Sequence, residues 1–493
     1  MNKFLQGMDL KLTENGSLAH STTWNAVYDL FAFGGAYRTR SDADVWLLFR
    51  QAFLENETMA LKCLFYLRDI LQGQGERRFF RVCMRELAKE FPEAAKRNMA
   101  FIPDFGRWDD LFVFVNTPLE ADAFAIIRMQ LALDVQSKTP SLLAKWMKSI
   151  NTSSSESRMI AKKTANYLGW TAKQYRKTLA ILRDRIRIVE KLMSENRWDE
   201  IEFDKIPSKA GLKYRNAFAR RDILAKKYEA FAKDKNTKVN AKTLYPYEVV
   251  VQANSYAVRH DMTQRAMVNK YWDNLTDYFN EKTFNGLAVV DTSGSMTWHD
   301  VGGAKPIDVA ISLGLYCAER AKGPFAGHYI SFASRPQLIR TEGIDFVDKV
   351  QRIYNTNLCD NTNLEATFNM LLDVAVKNNC TQEELPENII IISDMEIDAA
   401  EPNVRRCWGE NSTAKVNTIM ENQRVKWASA GYKMPKLVYW NVEARQNTIL
   451  DASPDVSYVS GFSPSIFEQI MTGKTGVQLM EDKLMSDRYA LIQ

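Results

Sequence analysis

The chain has 493 residues, of which 46% are apolar and 25% charged, and a net charge of +5. That length suits two to four domains of ordinary size, and that balance is the one found in soluble globular chains. No window approaches ~18 uninterrupted apolar residues, so no transmembrane helix and no membrane partner are expected.

The opening segment, MNKFLQGMDLKLTENGSLAH, has no apolar run before its polar residues and does not read as a secretory signal. Six cysteines (Cys63, Cys83, Cys317, Cys359, Cys380, Cys407) form no C-x-x-C pair, which points to reduced thiols in a cytoplasmic protein, the host cytoplasm if phage-encoded. The four histidines are scattered, so a His-rich zinc site is not expected.

The first 280 or so residues read as helices. In SDADVWLLFRQAFLENETMALKCLFYLRDI a Ser/Asp cap precedes apolar residues at helical spacing: Val45, Leu48, Phe49, Ala52 and Phe53. RRFFRVCMRELAKEF repeats the pattern and stops at Pro92. ADAFAIIRMQLALDVQS, SLLAKWMKSI, SESRMIAKKTANYLGW and TAKQYRKTLAILRDRIRIVEKLMSEN follow with short polar joints, as in a stack of helical hairpins without a strict period. GRWDDL (Gly106–Leu111) reads as a structural turn into a helix, and LQGQGER as a glycine-punctuated joint with no strand before it.

The charge is uneven. Residues 141–245 carry 25 Lys and Arg against 11 Asp and Glu, while the rest of the chain carries 40 against 49. The cations of that stretch include Lys145, Lys148, Arg158, Lys162, Lys163, Lys173, Arg176, Lys177, Arg183, Arg185 and Arg187, and Trp146, Tyr167, Trp170 and Tyr175 stand among them. Cations for phosphates and rings for bases are what single-stranded or looped RNA needs, so RNA is the expected partner of this stretch.

Near residue 285 the pattern changes. Short β-branched runs at Leu287–Asp291, His328–Ala333, Gln337–Arg340, Asn388–Ser393, Lys436–Val442 and Val456–Ser460 alternate with helical patterns near 304–322, 343–353, 363–378, 411–430 and 464–471. Such alternation predicts a doubly wound, mostly parallel sheet with helices on both faces, and hence an α plus α/β chain. EDKLMSDRYALIQ reads as a tail that docks on the body. TGKTG near residue 474 is not a phosphate loop, because Glu468 stands where its first glycine belongs.

In a doubly wound sheet ligands gather at the carboxyl ends of the strands. The first such strand ends in DTSGS, which puts oxygen side chains on alternate residues: Asp291, Ser293 and Ser295. Hard divalent cations take about six oxygen ligands, so the loop needs help from other strand ends. Asp394, after the run IIIIS, and Thr362, in the loop CDNTNLEATF, stand where they would supply it. Asp360, Glu396, Asp398, His299 and Asp300 lie near these loops and read as solvated charges or helix caps.

These residues resemble the metal-ion-dependent adhesion site of the von Willebrand factor A domain, which uses D-x-S-x-S, a Thr from a second loop and an Asp from a third. The resemblance implies that Asp291, Ser293, Ser295, Thr362 and Asp394 hold Mg²⁺, or another divalent cation such as Mn²⁺ or Ca²⁺, whose open position takes an acidic side chain of a protein partner. Over nearly the whole chain, LRDILQGQGERRFFRVCMREL, FIPDFGRWDDLFVF, SLLAKWMKSINTSSS and KLVYWNV resemble a family of phage, bacterial and plant proteins that joins a helical region to such an A domain. Its layout is similar to that of the TROVE-module Ro ribonucleoproteins, whose helical HEAT-like repeats bind small structured RNAs. The implied organisation is a helical HEAT-like region over 1–280, an A domain over 281–475 and a tail over 476–493.

No nucleophile–base pair is visible in the sequence, so binding rather than catalysis is expected. The leading reading is a non-catalytic RNA-binding scaffold with a cation site that captures a partner carboxylate. The alternative is a protein–protein adaptor or phage structural or assembly component acting through the A domain without RNA.

Overall fold

The computed structural model describes residues 10–12, 18–298, 300, 303–332, 335–356, 363–396, 419–451, 453 and 455–493. It divides into two compact units, one made of residues 1–57 and 244–485, the other of 58–243 and 486–493. Packing thus groups the chain differently from linear boundaries at 280 and 475, since residues before 58 belong with the sheet and residues after 485 with the helices. Among the described residues no helix is long and apolar enough to cross a membrane.

Among the described residues the first unit holds eight strands: β1 (Leu10–Leu12), β2 (Leu18–His20), β3 (Gly286–Asp291), β4 (His328–Phe332), β5 (Gln337–Arg340), β6 (Asn388–Ser393), β7 (Lys436–Asn441) and β8 (Val456–Ser460). β1 and β2 form a small antiparallel pair that the sequence reading did not anticipate. The other six form one sheet in the order β5-β4-β3-β6-β7-β8, parallel throughout except for the β4–β5 pair. This is the expected doubly wound sheet. Ile389 to Ile392 of β6 are fully buried, as a central strand covered on both faces requires. The helix Pro306–Arg320 packs so closely on β3 that a Cβ at Gly314 would fall 2.3 Å from Val290 Cγ2.

Residues 18–40 close one side of this sheet. The exposed edge of β8 would present an unpaired N–H and C=O at Tyr458, and Tyr28 from the helix Ala26–Phe33 meets both. Its hydroxyl accepts from Tyr458 N (2.7 Å) and donates to Tyr458 O (3.3 Å). Gly35 N donates to Ser460 Oγ (3.0 Å), and His20 exchanges two backbone bonds with Ile449. These long-range contacts explain why the N-terminal segment belongs to the sheet unit.

The second unit is helical. Its centre is a buried ion cluster built from GRWDDL. Asp110 accepts from Arg68 Nε (2.8 Å), from Arg81 (2.6 Å) and from the Arg107 backbone (3.0 Å), and Arg68 Nη2 lies 2.7 Å from the same carboxylate as an ion pair. Gly106 is needed here, because a Cβ would sit 2.5 Å from Asp110 Oδ2 and 2.8 Å from Arg68 Nε. The last residues of the chain pack into this unit: Arg488 makes a two-pronged pair with buried Asp69 (2.8 and 3.1 Å), and the Tyr489 ring stacks on Phe105.

Arg68 is only 1% exposed. Asp110→Ala would leave its charge buried beside fewer acceptors, and is expected to destabilise the helical unit by about 3–5 kcal/mol. Urea denaturation of both proteins checks this; a loss below about 1 kcal/mol would contradict it.

Candidate metal centre and basic helix face

The register of two neighbouring strands builds the site. β3 and β6 run parallel with Val290 opposite Ile392, so Asp291 comes level with Ser393 and Asp394 follows one residue later. β3 connects onward to β4 on one side and β6 to β7 on the other, so the pair lies where strand order reverses, the usual ligand crevice of such sheets.

Asp291 is 0% exposed. Its Oδ1 accepts from Ser293 N (2.9 Å) and its Oδ2 from the Ser393 hydroxyl. The first bond folds the loop back and brings Ser293 Oγ within 2.9 Å of Ser295 Oγ. Burial first, and the nearby Asp394 carboxylate second, push the Asp291 pKa up to about 7.

Asp394 is also buried, and its loop is tight. Its Oδ1 accepts from Glu396 N (3.2 Å), and Met395 between them has φ +64°, a left-handed conformation uncommon for residues other than glycine. Two buried carboxylates and a facing pair of hydroxyls form a hard, all-oxygen donor set of net negative charge. That set fits Mg²⁺ or another hard divalent cation.

Four of the five sequence-predicted ligands, Asp291, Ser293, Ser295 and Asp394, thus stand on two adjoining loops; Thr362 lies outside the described residues. So do His299, Asp360 and Asp398. Asp300 is exposed and accepts from Gly303 N, as a turn cap does. Glu396 departs from the expected solvated charge. It is 1% exposed and accepts from Gln446 Nε2 (3.2 Å), because the loop after β7 covers it.

That loop carries residues the sequence reading missed. Arg445 Nη2 donates to Ser295 O (2.9 Å) and to Asp394 Oδ2 (3.3 Å), and its Nε lies 4.0 Å from buried Glu443. The available signal was positional: NVEARQN places an acid and a base directly beyond a buried parallel strand, as DTSGS does.

The basic stretch divides into three groups. Arg183 and Arg185 are structural: Arg183 donates to Ala144 O (2.8 Å) and Met147 O (2.9 Å), and Arg185 to Val135 O (2.8 Å), tying down helix ends. Arg158 likewise donates to Thr152 O (2.8 Å). Lys145, Lys148, Lys163 and Arg187 face acids, at 3.9 Å from Glu190, 3.8 Å from Asp109, 2.8 Å from Glu120 and 3.6 Å from Glu200 respectively. Lys162, Lys173, Arg176 and Lys177 are exposed and make no ion pair among the described residues. They lie on the successive helices Ser155–Tyr167 and Ala172–Arg185, with Lys173, Arg176 and Lys177 at the 3- and 4-residue spacings of one helix face. Of the aromatics, Tyr175 is core, its hydroxyl donating to Lys148 O, whereas Trp146, Tyr167 and Trp170 are half-buried.

Asp291→Asn tests the metal centre. The amide keeps an acceptor for Ser293 N, the Ser393 hydroxyl can turn to accept, and the like-charge pair is gone. In chelator the variant is expected to melt no lower than the parent. With Mg²⁺ or Mn²⁺ at ~100 times the parent's dissociation constant the parent gains about 2.7 kcal/mol, and the variant less than about 0.5 kcal/mol. Equal gains would contradict the assignment.

Comparison with known proteins adds the following. Two family models match, one described as domain of unknown function DUF2828, over residues 13–145 and 128–283, and one as domain of unknown function DUF7788, over residues 285–489. An uncharacterized protein, L728, of Acanthamoeba polyphaga mimivirus is 30% identical, over 94% of this chain and 85% of its own length. The crystal structure of the Deinococcus radiodurans RO (RSR) protein aligns over 94% of this chain and 99% of that one, with 15% identity and a TM-score of 0.48, a likeness too slight to carry an argument. By the extent of the first model and the mimivirus match, the chain belongs to the DUF2828 family.

Proposed function

We propose that the protein is a non-catalytic RNA-binding scaffold that also captures a partner carboxylate through a divalent cation, in the manner of a von Willebrand A domain. The observation that carries this reading is the meeting of Asp291, Ser293, Ser295 and Asp394 at the strand-order reversal. When bound there, a Mg²⁺ or Mn²⁺ ion supplies a Lewis-acidic point for a carboxylate. Asp291 and Asp394 supply the charge that holds it, and Ser293 and Ser295 the neutral oxygens that keep it electrophilic.

The RNA half of the reading is supported by the exposed cations Lys162, Lys173, Arg176 and Lys177 and by the half-buried rings of Tyr167 and Trp170. Unpaired cations on one helix face attract phosphates without first breaking an ion pair, and rings offer stacking surfaces. The adaptor reading without RNA draws on a different residue. Trp298, at the end of the cation loop, is 80% exposed, as an anchor for a protein partner would be.

RNA binding measured by fluorescence anisotropy separates the two. Four phosphate contacts to a single strand predict a loss of about 50-fold in affinity between roughly 50 and 200 mM salt. Replacing Lys173, Arg176 and Lys177 together by Glu is expected to abolish most of that binding and to flatten its salt dependence, with the fold intact. Reversal of Arg183 or Arg185 would instead read out lost helix caps. Absence of RNA binding by the parent at low salt favours the adaptor.

A further inference from the structure

The cation site already has a positive charge beside it. Arg445 bridges the two loops that build the site, reaching the Ser295 carbonyl on one and the Asp394 carboxylate on the other. Its own backbone is fixed from behind by the N-terminal segment. Arg40 donates to Arg445 O, Tyr37 donates to Asn447 Oδ1, and Ala444 N donates to Ala36 O (3.0 Å).

Arg445 and an ion at Asp394 would act against each other. The guanidinium holds Asp394 Oδ2, an oxygen the ion would take, and two cations on one buried carboxylate repel each other strongly in a desolvated setting. Arg445 has a second acid within reach. Glu443, 0% exposed, lies 4.0 Å from its Nε.

We infer that Arg445 is a tethered counter-cation that competes with the divalent ion for Asp394, and that Glu443 takes over the guanidinium when the ion binds. This rests on the cation site proposed above and adds its regulation. Ion binding and the position of the loop after β7 are then linked. By reciprocity, whatever pulls that loop away from Asp394 tightens the ion. Because Ala36, Tyr37 and Arg40 hold the loop, the N-terminal segment is the part of the chain through which such control would act.

The test is isothermal titration of the full chain with Mn²⁺, for the parent, Arg445→Met, Arg445→Lys and Glu443→Gln. Arg445→Met is expected to bind Mn²⁺ at least about fivefold more tightly than the parent, the lower end of ordinary coupling between sites. Arg445→Lys should fall between them, and Glu443→Gln should bind more weakly, because the displaced guanidinium loses its second partner. Should Arg445→Met fail to fold, Arg445→Lys and Glu443→Gln still bracket the parent from opposite sides. Equal affinities across the series, or weaker binding by Arg445→Met, would overturn the competition and leave the cation site standing. No Mn²⁺ binding by any of the four would overturn the cation site itself.

Discussion

Two carboxylates buried side by side at the ends of neighbouring parallel strands are the constraint on which the functional half of this structure turns. Asp291 and Asp394 are placed by sheet register, not by loop flexibility, so their closeness persists as long as the sheet does. Desolvation and mutual repulsion both act against that arrangement. The surrounding residues offset it in kind: Ser293 N–H and the Ser393 hydroxyl donate to one acid, Glu396 N–H and Arg445 to the other. The proposed cation would complete that partial compensation.

The elements around the site serve the same end. The N-terminal segment closes the open edge of β8 and braces the loop after β7, so a stretch far from the site in sequence helps set where Arg445 stands. In the helical unit, the Arg68–Asp110–Arg81 cluster and the docked tail fix the helices internally. Lys173, Arg176 and Lys177 are exposed on one face of the helix Ala172–Arg185.

Much of this was legible in the sequence. Apolar runs marked β3, β6 and β7, because a parallel strand covered on both faces tolerates little else. D-x-S-x-S was legible for the same reason, since such residues after a buried strand have no role in a core. The charge of the basic stretch was legible as a sum but not residue by residue. Arg183 and Arg185 look like Lys173 and Lys177 in a string of letters; only the position of helix ends decides that two of them donate to carbonyls while the others face solvent. Arg445, the buried Glu396 and the attachment of residues 18–40 depend on contacts between distant segments, for which local pattern carries no signal.

Anomalous diffraction from crystals of the full chain grown with Mn²⁺ tests the central claim most directly. The account predicts a single strong peak at the carboxyl end of β3, bonded to the hydroxyls of Ser293 and Ser295 and within direct or one-water reach of Asp291 and Asp394. A crevice without such a peak at saturating Mn²⁺, its serine hydroxyls still turned toward each other, would contradict it.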